Sequence, residues 1–257
     1  MNDRLILVGL PLYQGYIHYD CVISVQNMME ECASHGYILQ PYYAKGPSLP
    51  IKRRQCIDRA REVGAKWVMM VDSDMIVTNP KWLWIMLNRR KRIISGTYYA
   101  KQEPWIPILA RYRDRDYKPS VDETIEFWMN EVQYEQSFSL PKDSVVEVDA
   151  VGGGFVLIET ACFDGMKDPY FLMTDYHGLG EDYFMCHRLR QLGHKIYVDT
   201  SIQLQHIGDY NYSQKDNRLG QVMLQMKMQK EANGNSEVCG QLPVAPGVSQ
   251  AVETGTQ

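Results

Sequence analysis

Asp72-Ser73-Asp74 follows an apolar run, Trp67 to Val71, and sets two carboxylates one residue apart. Alternate residues of an extended segment point the same way, so both carboxylates face one side. The carboxyl end of a parallel strand is where open α/β sheets bind ligands. Hard carboxylate oxygens there suit Mg²⁺ or Mn²⁺, ions that usually complete their coordination with substrate phosphate oxygens. Two aspartates so placed are also ordinary turn formers, so the pair needs company from the rest of the chain.

Further groups follow in order. Gly152-Gly153-Gly154 lies between two strand-like runs, where missing side chains permit positive φ or close backbone approach to a ligand. It has no phosphate-loop lysine, and a hairpin turn or bulge is the plainer explanation. Gly178-Leu179-Gly180-Glu181-Asp182 places two carboxylates in the first turn of a helix, where the backbone dipole favours the ionised form and an ionised carboxylate can accept a proton. Ordinary capping would use the same residues. His206 follows a strand-like segment, and a neutral imidazole there could be a third metal ligand.

The positioning elements read as alternating strands and helices. Leu5 to Gly9 is a buried strand running into Leu10-Pro11-Leu12-Tyr13-Gln14-Gly15, and Tyr19 to His35 is a helix stopped by Gly36. Tyr37 to Gln40 is a second strand, and Ile51 to Val63 a helix closed by Gly64. Lys66 to Val71 is a third strand; Asn79-Pro80 opens a helix, and Ile93 to Thr97 is a fourth strand. Such alternation builds a parallel sheet with helices on both faces. Between Trp105 and Leu140 the pattern breaks up around a charged stretch, Arg111 to Lys118, that suggests a strand edge or an excursion. Val145 to Asp149 and Phe155 to Ile158 flank the glycines as strands, Glu181 to Leu192 is a helix ended by Gly193, and Lys195 to Val198 is the last sheet strand. An amphipathic stretch near Gln221 to Lys230 and an aperiodic tail from Asn233, expected to be disordered, complete the chain.

Composition narrows the function classes. The chain has 257 residues, 45% of them hydrophobic, enough for one large α/β domain or two small ones. With 27 basic and 31 acidic side chains the formal charge is -4, which excludes a histone-like or polybasic binder. The six cysteines form no C-x-x-C pair and read as reduced thiols of a cytoplasmic protein. No apolar run approaches the ~20 residues needed to span a bilayer.

In order and content these motifs resemble the nucleotide-sugar glycosyltransferases of the GT-A fold, especially the large family 2 group and related bacterial and phage enzymes. The likeness runs over about residues 4–208. It implies a Rossmann-like, mostly parallel central sheet with flanking helices and a smaller acceptor-side subsheet. The donor half would span about residues 1–104 and the acceptor half about 105–208, with a helical extension over 209–232. Leu10-Pro11-Leu12-Tyr13 is similar to the base-contacting loop, Arg54 to the basic position before the second helix, and Asp72-Ser73-Asp74 to the Asp-x-Asp signature. Gly153 and Gly154 fall in the glycine-rich turn, Glu181-Asp182 in the Glu-Asp motif, and His206 at the late metal histidine. Gln55 departs from the asparagine expected after the arginine, and residues 111–141 match nothing in the family.

The resemblance implies transfer of a sugar from a nucleoside diphosphate donor, with UDP the leading carrier, to a hydroxyl, with inversion. Asp72, Asp74 and His206 would hold Mn²⁺ or Mg²⁺ on the diphosphate, Asp182 would deprotonate the acceptor, and Glu181 would orient hydroxyls. Pro11, Tyr13, Arg54, Asp72, Ser73, Asp74, Gly153 and Gly154 would contact the donor. A glycan or glycoconjugate is the leading acceptor. The alternative is DNA carrying hydroxymethylated bases, with phosphates tracked by Lys52-Arg53-Arg54, Arg89 to Arg92 and Arg111/Arg113/Arg115, and a flipped base stacked on Trp105, Tyr112, Tyr117 or Trp128. A nucleotidyltransferase or a noncatalytic sugar-binding module are further alternatives. The first of these would need a basic glycine-rich loop where Leu10 to Gly15 has no lysine or arginine.

Overall fold

The computed structural model describes residues 2–101, 105–136, 138–173, 180–208 and 211–212. The first half runs β1 (Asn2–Pro11), α1 (Tyr19–Ser34), β2 (Ile38–Ala44), α2 (Leu49–Glu62), β3 (Ala65–Val71), β4 (Met75–Ile76), α3 (Trp82–Asn88) and β5 (Ile93–Thr97). There follow β6 (Leu109–Tyr112), α4 (Ile125–Glu131), β7 (Tyr134–Glu135), β8 (Val145–Val148), β9 (Ala150–Val151), β10 (Phe155–Glu159), α5 (Glu181–Gln191), β11 (Ile196–Gln203), β12 (Gln205–Ile207) and β13 (Asn211–Tyr212).

Seven strands form the central sheet in the order β2-β1-β3-β10-β5-β11-β8. The expected α/β class, with a mostly parallel central sheet and smaller accessory sheets, is what the chain adopts: β1 runs parallel to β2 and β3, and β5 to β11. Two strands run the other way, β10 between β3 and β5, and β8 at the edge. The central strands read as unbroken apolar runs because both faces are covered. Along β3, Val68 and Met70 join a core with Cys56, Ile57 and Ala60 of α2 and Phe184 and Leu189 of α5. Met69 and Val71 point the other way, to Val25 and Met28 of α1 and Leu83 and Met86 of α3.

Some boundaries differ from the sequence reading. The helix expected from Pro80 starts at Trp82, because Asn79 first closes a turn in which its backbone oxygen accepts from Trp82 N and its side chain from Lys81 N. The last sheet strand runs on to Gln203. The excursion that showed no pattern folds into β6, α4 and β7, with Thr124 capping α4 by accepting from Phe127 N. Asn211 and Tyr212, expected within a helical extension, pair with β12 as a strand. The expected amphipathic helix near Gln221 and the tail from Asn233 lie outside the described residues. Among the described residues no helix is long and apolar enough to cross a membrane, and the five described cysteines are buried and free.

Candidate functional site

The site is built at the carboxyl end of β3. Asp72 leaves the strand with its N–H donating to Gly154 O (2.9 Å), so the antiparallel partner β10 carries the triple-glycine turn directly against it. The chain then forms β4, which pairs with β12 so that His206 lies opposite Met75, and Ile207 N donates to Asp74 O (2.8 Å). That short ladder brings His206 to Asp74, with Nε2 3.6 Å from Oδ1. His206 Nδ1 lies 2.9 Å from the Tyr99 carbonyl oxygen. A carbonyl only accepts, so Nδ1 carries the hydrogen, and Nε2 is the ring nitrogen that faces Asp74. Lys101 Nζ donates to the other oxygen of Asp74 at 2.5 Å. Burial pushes the Asp74 carboxyl up, but His206 and Lys101 outweigh it and hold the group at about 2.

Asp72 is engaged by a different cation. Arg53, 2% exposed, donates from Nη2 to Asp72 Oδ2 (3.1 Å), from Nε to Glu181 Oε1 (2.9 Å) and from Nη1 to the Gly153 carbonyl. One buried guanidinium thus fixes the end of β3, the glycine turn and the start of α5 in one corner. The glycines serve this convergence: a Cβ on Gly153 would lie 2.0 Å from Arg53 Nη1, and one on Gly152 2.0 Å from the Tyr98 hydroxyl. The close approach expected at this turn is made here by Arg53 and Tyr98, and no glycine of the turn has positive φ.

Asp182 completes the corner. Its Oδ2 accepts from Gly153 N (3.1 Å) and its Oδ1 from Tyr183 N (2.8 Å). Burial, then the adjacent Glu181 charge, push its carboxyl up to about 6, against the opposing pull of Arg53 and the two backbone donors. A carboxylate poised near neutrality is suited to taking a proton.

The other expected site residues divide. Ser73 is buried and its hydroxyl accepts from Tyr13 N (3.2 Å), which ties the loop after β1 to the aspartates. Pro11 is the buried last residue of β1, and the Tyr13 side chain is exposed. Arg54 does not join the cluster. It turns to Asp58 (2.8 Å) and Asp168 and lies over the Tyr170 ring. The basic residue at the corner is its neighbour Arg53, and a signal for it existed: Arg53, Cys56, Ile57 and Ala60 repeat at helical spacing as the buried face of α2. Nothing local marked Lys101 or Tyr98.

Among the described residues no group of three or more His, Cys, Asp or Glu side chains is arranged to hold an ion. Asp72 is paired with Arg53, and its Oδ1 is a buried oxygen with no hydrogen bond. Asp74 and His206 remain, a hard carboxylate and an imidazole nitrogen that faces it. Two protein ligands suffice for an Mg²⁺- or Mn²⁺-type ion that shares its shell with substrate phosphates and water. Asp74 and His206 therefore fit such a group.

The proposed phosphate-tracking clusters are largely occupied. Lys52 is buried and donates to Leu12 O (2.7 Å); Arg89 pairs with Asp199, Arg92 with Glu159 and Arg115 with Glu135; Lys91 lies over Tyr197 and Arg111 over Phe138. Tyr112 and Trp128 are 2% and 1% exposed, so neither offers a face to an extruded base.

No protein-family model and no curated protein matches this sequence significantly. Several solved structures are similar to it at low identity. A197 from STIV is 16% identical over 80% of this chain and 86% of that chain, with a TM-score of 0.49. GalNAc-T7, solved with UDP, GalNAc and Mn²⁺, is 13% identical over 80% of this chain and 44% of its own length, with a TM-score of 0.48. UDP-glucose pyrophosphorylase is 8% identical over 88% of this chain and 82% of its own, with a TM-score of 0.37.

Proposed function

We propose that this chain is a nucleotide-sugar-dependent glycosyltransferase that moves a sugar from a nucleoside diphosphate, with uridine as the carrier, to a hydroxyl of a glycan or glycoconjugate, with inversion. The observation that supports it most is the corner held by Arg53, where Asp72, the glycine turn and Glu181-Asp182 meet beside the Asp74/His206 pair. The order of these motifs and the choice of uridine rest on the resemblance to GT-A enzymes.

In this reading Asp74 and His206 hold Mn²⁺ or Mg²⁺, which when bound offsets the charge that develops on the departing diphosphate. The loop from Pro11 to Tyr13, fastened to Ser73, receives the base. Asp182 takes the proton of the acceptor hydroxyl as that oxygen attacks, and its two backbone donors keep the receiving oxygens in place. Glu181, bound to Arg53, keeps the guanidinium oriented toward Asp72 and leaves Asp182 as the base.

The test incubates the protein and Mn²⁺ with labelled UDP-, GDP-, CDP- and ADP-sugars and oligosaccharide acceptors, then reads product mass and anomeric configuration. Release of UDP with one sugar added to the acceptor is expected. Pyrophosphate release from a nucleoside triphosphate and a sugar phosphate would make it a nucleotidyltransferase instead. Binding without turnover would make it a sugar-binding module, and a mass gain on hydroxymethylated DNA would replace the acceptor.

A further inference from the structure

The aspartates flanking Ser73 are each already partnered by a cation, but on different terms. Arg53 is 2% exposed and is bound on three sides, so taking it from Asp72 would strand a buried charge. Lys101 and Asp74 have side chains 34% and 33% exposed, and among the described residues the Lys101 ammonium donates to the Asp74 carboxylate alone. A partly exposed lysine pair of this kind contributes little and exchanges readily. The chain holds Lys101 just after Tyr99, whose carbonyl orients His206, so one short segment directs both the imidazole and the ammonium at Asp74.

We propose that Lys101 is a place-holder cation: it neutralises Asp74 while the site is free of donor, and passes to the donor's diphosphate when a divalent ion takes its place. This rests on the glycosyltransferase reading given above. An ammonium and a divalent ion compete for one carboxylate and repel each other, so an ion arriving alone must displace Lys101 without compensation. An ion arriving with a diphosphate supplies Lys101 with a new anionic partner. Metal and nucleotide therefore bind better together than apart, each strengthening the other by the same factor.

The test measures Mn²⁺ binding to the full chain by electron paramagnetic resonance without nucleotide, and UDP binding with Mn²⁺ present by calorimetry. Lys101→Met should bind Mn²⁺ alone about 1.5- to fivefold more tightly, the range expected for removing an exposed ion-pair partner, and UDP with Mn²⁺ about tenfold more weakly. Lys101→Arg, which keeps the charge, should hold both affinities near wild type. If Lys101→Met leaves Mn²⁺ affinity unchanged or lowers it while the wild type binds UDP in a Mn²⁺-dependent way, the place-holder role is overturned and the proposed function stands. If the wild type shows no Mn²⁺-dependent UDP binding, both fall.

Discussion

Two regions of this protein bury titratable groups, and they treat them oppositely. At the end of β3, Asp72, Asp74, Glu181 and Asp182 lie near Arg53 and Lys101, so burial, which pushes the Asp72 and Asp182 carboxyls up, is opposed there by cations. Around β6 and α4, His187, Tyr112, Tyr117, Trp128 and Tyr134 pack ring against ring. Burial there pushes the His187 imidazole down to about 3 and the Tyr112 hydroxyl far up, so the ring stays neutral and the phenol protonated at ordinary pH. The first arrangement holds groups that can exchange protons and ions; the second uses polar atoms to fasten a core. Burial of a polar residue is thus by itself no guide to chemistry.

Substitutions should separate the regions. Asp182→Asn is expected to lower turnover by about 10²–10⁴-fold while UDP affinity survives, since a lost general base spares the donor site; collapse of UDP binding would move Asp182 into that site. Chelation by EDTA, or Asp74→Asn, should likewise remove activity with the fold intact by circular dichroism. Trp128→Ala should cost about 3–5 kcal/mol of unfolding free energy in denaturant titration without changing kcat below the transition. A fall in kcat at full folding would break the contrast.

Arg53→Met should cost about 3–5 kcal/mol and also remove turnover, because it leaves buried carboxylates uncompensated, whereas Arg54→Met should stay within about 1 kcal/mol. Equal effects of the two would undo the assignment of the corner to Arg53.

The smallest effect is in pH. Asp182 acts ionised, so the rate should fall as pH drops through about 6. Glu181→Gln removes a charge that raises that value and frees Arg53, which lowers it, so the acid limb should shift to lower pH. In stability Asp182 and His187 have opposite slopes. Asp182, raised in the fold, costs stability as pH climbs from about 4 through 6. His187, lowered from 6.5 to about 3, costs stability as pH falls between those values. An acid limb unmoved by Glu181→Gln would show that the two carboxylates do not interact.

The sheet was legible because apolar runs and helix stops are local signals: Gly64 and Gly193 end their helices at positive φ where the pattern placed them. The site was legible in its acids, since Asp72, Asp74, Glu181, Asp182 and His206 do gather at one end of the sheet. Their cations were not. Arg53 and Arg54 are neighbours in a basic run, and only the burial period of α2 tells them apart. Lys101 reaches Asp74 across 27 positions through a single side-chain contact, which leaves no local pattern. The excursion was opaque because its elements are short and its alternation is interrupted by charge.

β10 is the strand that closes the sheet between β3 and β5, yet it leaves the ribosome some 60 residues after β5. Until it arrives, a nascent chain carries the β2-β1-β3 half-sheet with the edge of β3 open and β5 without a sheet partner, the kind of surface that invites pairing with another chain. Synthesis therefore passes through a vulnerable interval that ends only when the glycine turn docks on Asp72. A chain truncated near residue 100 should aggregate rather than survive as a donor-binding fragment.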